Sequence, residues 1–151
     1  MRGRLNAVLQ RVTDATEGLR IEQNLFAAEG SQFGMWTTRK PALVCPRAYE
    51  QRSDFDRAQR RSFARGWPVH LRPTGGGTVM QGAGVSNLVL AFNAPMYATI
   101  EDCYRLLIQI IKCGIGAFGT VLKTGHVPGS TCDGAWNLSF EGRKIVGTAQ
   151  R

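Results

Sequence analysis

The chain has 151 residues, 43% of them hydrophobic, and a formal net charge of +8. That length is enough for one domain with a real core, and the composition fits a globular class and excludes a disordered one. No apolar run is long enough to span a membrane, and Met1-Arg2-Gly3-Arg4 leads into no signal-peptide core.

Residues 1–16 are polar and read as a leading strand. Glu17 to Ala28 fits a helix that Gly30 ends. Phe33–Thr38 and Ala42–Arg47 read as two strands around the Lys40-Pro41 break. Ser53 followed by Asp56 predicts a capping box, opening a helix to about Arg65 with Gly66 beyond its end. Val69–Arg72 is a short strand and Asn87–Phe92 another. Thr99 and Asp102 predict a second capping box, and the helix that follows is expected to bury Cys103, Leu106, Leu107, Ile110 and Ile111, with Gly114-Ile115-Gly116 closing it. Thr120 to Arg151 is strand and hairpin around a loop at residues 125–134. The order predicts an α+β arrangement: a mixed, largely antiparallel sheet with packed helices.

Cys45, Cys103, Cys113 and Cys132 have no Cys-x-x-Cys spacing, and His70 and His126 are isolated. A zinc site or disulfide framework is not expected, and the thiols suit a reducing cytoplasm. The net charge of +8 suits an acidic protein, a membrane or nucleic acid. Arg57, Arg60, Arg61 and Arg65 cluster on one predicted helix, but no recognition-helix motif or stacking-aromatic pattern accompanies them, so nucleic acid is not the expected partner.

Two stretches carry the chemistry. Between Arg72 and Gly84 the chain reads RPTGGGTVMQGAG. Three successive glycines weaken a helix or strand interior, and they allow positive φ and close approach of an anion to backbone N–H groups. Arg72 adds a planar cation suited to phosphate or carboxylate. Near the other end, Cys132-Asp133-Gly134 precedes a hairpin turned at Glu141-Gly142, with Lys144 just inside the returning strand. Alone, Lys144 reads as a solvated charge and Asp133 as a turn residue.

Together, the pattern R-x-x-G-G-G-x-V followed by C-D…G-R-K-I-x-G-[ST]-A resembles the lipoate–protein ligase branch of the biotin/lipoate ligase family, from about Gly18 to the last residue. Trp36 through Arg39 and Val44-Cys45-Pro46-Arg47-Ala48 support it. The resemblance implies a single catalytic domain over residues 1–151, lacking its C-terminal part, so that the final hairpin near Asn137–Ala149 would lie on an exposed edge. Val146, Gln81-Gly82 and Pro73-Thr74 depart from the family's pattern.

The resemblance also implies an ATP- and magnesium-dependent ligase that activates lipoate or octanoate as an acyl-adenylate. The acyl group then passes to a lysine of a lipoyl carrier domain, in 2-oxoacid dehydrogenase complexes or the glycine cleavage H protein. Arg72, Gly75, Gly76, Gly77, Thr78, Val79 and Met80 would bind nucleotide. Lys144 would neutralise the carboxylate and the α-phosphate, Asp133 would act through magnesium, and Gly147 and Thr148 would line the acyl site. An alternative in the same fold is an acyltransferase working through a thioester on Cys132, with Lys144 nearby. A third is a non-catalytic remnant that binds the ligand without turnover.

Overall fold

The computed structural model describes residues 6–150. The basic start Met1-Arg4 and the final Arg151 lie outside the described residues. The described residues form two compact units: one of residues 6–73 and 78–93, the other of residues 74–77 and 94–150.

The first unit contains two strand–helix–strand crossovers. β1 (Asn6–Arg11), α1 (Ala15–Ala27) and β2 (Gln32–Thr37) form the first, with β1 and β2 parallel and β6 (Ser86–Ala91) antiparallel on the far side of β2. β3 (Ala42–Pro46), α2 (Phe55–Ala64) and β4 (Val69–Arg72) form the second, with β3 and β4 parallel and β5 (Val79–Gln81) antiparallel to β3. Parallel neighbours require a crossover, and the two helices provide it.

Helix α1 starts two residues before the sequence expectation because Asp14 caps it. Its carboxylate accepts from the N–H of Thr16 and of Glu17, and Glu17 returns a bond to the N–H of Thr13 at 2.8 Å. The helix buries Ala15, Gly18, Leu19 and Leu25. A Cβ at Gly18 would collide with the indole of Trp36, so glycine is what lets the fully buried Trp36 lie against the helix backbone. The indole N–H then donates to Glu22 Oε1 at 2.9 Å. Val12, Ala42 and Val44 complete this core.

Ser53 and Asp56 do not form the expected capping box. The residue before α2 is Asp54, in right-handed helical conformation and without a side-chain cap bond, after a 3-10 turn at Arg47–Gln51. With the chain already helical at Asp54, a β-region capping residue has no place there. The expected end is present: Gly66 has φ +80°, and Trp67 N–H bonds back to Ser62 O.

In the second unit, α3 (Ile100–Gly116) opens on the expected capping box between Thr99 and Asp102. Its buried face differs from expectation. Ile108 is the buried residue and packs with Ile111 and Ile115, while Leu106 and Ile110 are 41% and 37% exposed. Tyr104, Ile108, Ile111 and Ile115 follow the 4-3-4 spacing of one helical stripe, whereas the longer apolar run around them points elsewhere. Leu122 and Leu138 complete the core, and Tyr104 stacks on Trp136 with ring centroids 5.4 Å apart. β7 (Lys123–Thr124), β8 (Leu138–Phe140) and β9 (Arg143–Val146) form an antiparallel sheet in which β9 is an edge. The β8–β9 turn has positive φ at both Glu141 (48°) and Gly142 (76°), the two-residue geometry that matches strand twist.

Candidate active site

In the second unit, the glycine loop meets two stretches from the C-terminal end of the chain. Gly76 has φ +92°, so it adopts the left-handed conformation that the triplet suggested. Gly77 is constrained by space: a Cβ there would run into Cys132 Sγ.

The first of these stretches is the loop between β7 and β8. Asp133 ties it together. Oδ1 accepts the N–H of Val127 at 2.6 Å and of Gly134 at 2.8 Å, and Oδ2 lies 3.2 Å from Nδ1 of His126. The Val127 N–H chiefly, helped by His126 and the Gly134 N–H, holds the Asp133 carboxyl below the usual aspartate range. Asp133 thus bridges the two sides of the loop, and His126 is its partner. Cys132 beside it is exposed and has φ +54°, an uncommon state for a non-glycine residue that costs on the order of 1–2 kcal/mol.

The second is β9. Lys144 Nζ donates to the carbonyls of Thr131 and Cys132, both at 2.7 Å. The Cys132 carbonyl also accepts from Asn137 Nδ2 at 3.2 Å. Gly147 makes room for this lysine, because a Cβ there would sit 3.2 Å from Lys144 Cε and 3.3 Å from Nζ. Thr148 turns its hydroxyl to the Trp136 carbonyl at 3.0 Å, a structural bond. Gly77, Cys132, Asp133, Lys144 and Gly147 therefore stand in one constellation, with Asn137 and His126 added. Sequence reasoning missed both additions. His126 has no His or Cys companion in ligand register, and Asn137 is a polar residue at a strand start with no spacing to mark it.

The remaining expected residues belong to the first unit. Arg72 is buried and donates through Nη1 to Val44 O at 3.0 Å. Val79 and Met80 are strand residues, registered against Val44 and Leu43 on β3. Thr78 Oγ1 lies 3.4 Å from Cys45 Sγ. Gln81 is buried in a reciprocal amide pair with Asn87 at 2.9 and 2.8 Å. A Gln side chain carries both a donor and an acceptor, so it closes this pair without a charge.

The profile of the lipoyl protein ligase A/B catalytic domain matches residues 14–151, and the chain belongs to that family. An uncharacterized protein of Cupriavidus necator is 36% identical over 130 residues, spanning 82% of this chain and 51% of that protein. An octanoyl-GcvH:protein N-octanoyltransferase of Kyrpidia tusciae is 39% identical over 85 residues, spanning 56% of this chain and 30% of that enzyme. In fold, the chain is similar to the crystal structure of lipoate-protein ligase A bound with ATP. The TM-score is 0.73 at 16% identity, over 99% of this chain and 61% of the other. The match thus covers about half of the first relative and under a third of the second.

Proposed function

We propose that this chain is the catalytic part of an enzyme that moves an octanoyl or lipoyl group onto a lysine of a lipoyl carrier domain, with Cys132 as nucleophile. The observation that carries the reading is the ammonium of Lys144 on the carbonyl of Cys132, whose thiol faces Gly77. An ammonium has three N–H donors, and two are spent on Thr131 and Cys132. The third is available to an acyl carbonyl oxygen as negative charge develops there, the interaction that usually contributes most to acyl transfer.

The steps balance as follows. The Cys132 sulfur, having lost its proton, attacks the acyl carbonyl of the donor and an S–C bond forms. The donor's bond to the acyl carbon breaks and its nitrogen or sulfur takes up the proton. The amine of the acceptor lysine then attacks the thioester, the S–C bond breaks, and the thiol is restored. The GcvH donor named for the Kyrpidia enzyme agrees with such an exchange.

The second reading is an ATP-dependent ligase, favoured by the glycine loop and by the likeness in fold to a ligase bound with ATP. Gly75, Gly76 and Gly77 would let phosphate approach the main chain, and Lys144 would offer its third N–H to the α-phosphate. Gly147 and Thr148 would stand on the acyl side. A magnesium ion fits only as a guest of the nucleotide. Asp133 Oδ1 is committed to backbone N–H groups and Oδ2 lies 3.2 Å from His126 Nδ1, and the described residues hold no group of three ligating side chains. Bound there, magnesium would neutralise phosphate charge. We place either reaction in the cytoplasm; no helix among the described residues is long and apolar enough to cross a membrane.

The test is ATP dependence. Acylation of an acceptor domain from an octanoyl-protein donor without ATP, lost on Cys132→Ser, is expected. Labelling from free octanoate that requires ATP and magnesium and survives Cys132→Ser would overturn the thioester and establish the ligase.

A further inference from the structure

Helix α2 packs against β4 and the 3-10 turn through the half-buried Phe55, Gln59 and Ser62, fully burying none of its ten residues, and that contact does not explain the arginines on its exposed side. Arg57, Arg61 and Arg65 recur every four residues and line one side of an open groove of about 470 Å³. The floor is apolar, made by Leu43, Trp67 and Met80, and Met80 is 57% exposed. Among the described residues, no ion pair joins Arg57, Arg60, Arg61 or Arg65 to a carboxylate. Asp54 at the groove's end is the only acid on the lining. Like charges one helical turn apart repel, and a helix and its C-cap that keep three of them out of ion pairs carry a standing field for an anionic partner.

We propose that this groove docks the acceptor protein, receiving an acidic segment whose carboxylates meet Arg57, Arg61 and Arg65 while an apolar side chain seats on Leu43, Trp67 and Met80. Guanidinium forks pair bidentately with carboxylates, which sets the register of the segment, and the apolar floor supplies what charge alone lacks. A bare polyanion would have no use for that floor. The identity of the partner as acceptor rests on the acyl-transfer reading above; the chemistry of the groove does not.

The experiment measures binding of purified apo-GcvH to the full chain and to Arg57→Glu/Arg61→Glu, by anisotropy at several salt concentrations, together with acyl-transfer kinetics. Arg20→Glu, exposed on α1, is the charge control, and Met80→Ala tests the floor without altering charge. Expected are at least tenfold weaker binding and a tenfold higher acceptor KM for the double reversal, with kcat retained and the salt dependence flattened. Arg20→Glu should change little, and Met80→Ala should weaken binding several-fold at unchanged salt slope. Equal GcvH binding by wild type and double reversal, or no GcvH binding at all, overturns the groove, as does tighter binding of a single-stranded oligonucleotide that displaces GcvH. Docking that depends on the arginines without any acyl transfer would instead sink the reaction and leave the groove standing.

Discussion

Lys144 and Cys132 are joined twelve residues apart by a 2.7 Å bond from ammonium to backbone carbonyl. The bond fixes where the charge of Lys144 sits, and it stiffens the one non-glycine residue of its loop that has positive φ. The proposed nucleophile and the cation are thus positioned through one contact.

Removing the cation should therefore act on chemistry and on the loop. Lys144→Ala is expected to lower single-turnover acyl transfer by about 10²–10³, the usual effect of deleting one donor to a developing oxyanion. Circular dichroism should be unchanged, because Lys144 lies on an edge strand. Retention of near-normal turnover would remove Lys144 from the mechanism.

Cys132→Gly should separate stability from activity. Glycine takes positive φ without strain, so relief of about 1 kcal/mol is expected in urea titration, less the added freedom of the unfolded chain. Acyl transfer should vanish. A glycine variant that still forms product from an octanoyl-protein donor would show that the thiol is not the acceptor of the acyl group.

Gly18→Ala should destabilise the first unit. The added methyl has nowhere to go but into the indole of Trp36, and overpacking of this kind costs about 1–3 kcal/mol. The shift in Tm would be accompanied by a change in Trp emission as the bond to Glu22 is disturbed.

Two carboxylates give opposite pH dependences. Burial pushes Glu22 above its ordinary value of 4.5, opposed by the Trp36 N–H and by Arg72. The folded state then binds the proton more tightly than the unfolded one, so this contribution is full below about pH 4.5 and is lost as pH rises through the raised pKa. Asp133 lies below its ordinary 3.8, so its contribution is present above that value and is lost as pH falls through the lowered pKa. Glu22→Gln should flatten the first dependence in pH-resolved urea titrations. Asp133→Asn should flatten the second and loosen the loop, seen as faster amide exchange at Val127.

Much of this was legible in the sequence because local rules decided it. The Thr99–Asp102 box, the Glu141-Gly142 turn and the strand Val69–Arg72 all stand where their residues predict. Strand β5 was hidden, since Val79–Gln81 follows the glycines directly and is paired only through β3. The face of α3 was misread because apolar residues surround most of that helix, and only packing selects Ile108. Within the site, the motifs named Lys144, Asp133 and Gly77 but not how they meet. The meeting runs through backbone carbonyls and N–H groups, which every residue has and no sequence pattern marks.

The glycine triplet is, in the end, three unequal positions. Gly76 is held by its dihedral angle and Gly77 by the volume of a sulfur atom, while a methyl on Gly75 would meet no atom within 4 Å. Alanine at 75 thus meets no steric obstacle within the protein. Any activity lost with Gly75→Ala reports the shape of whatever approaches the loop from outside, which makes that single methyl a gauge of a ligand's approach.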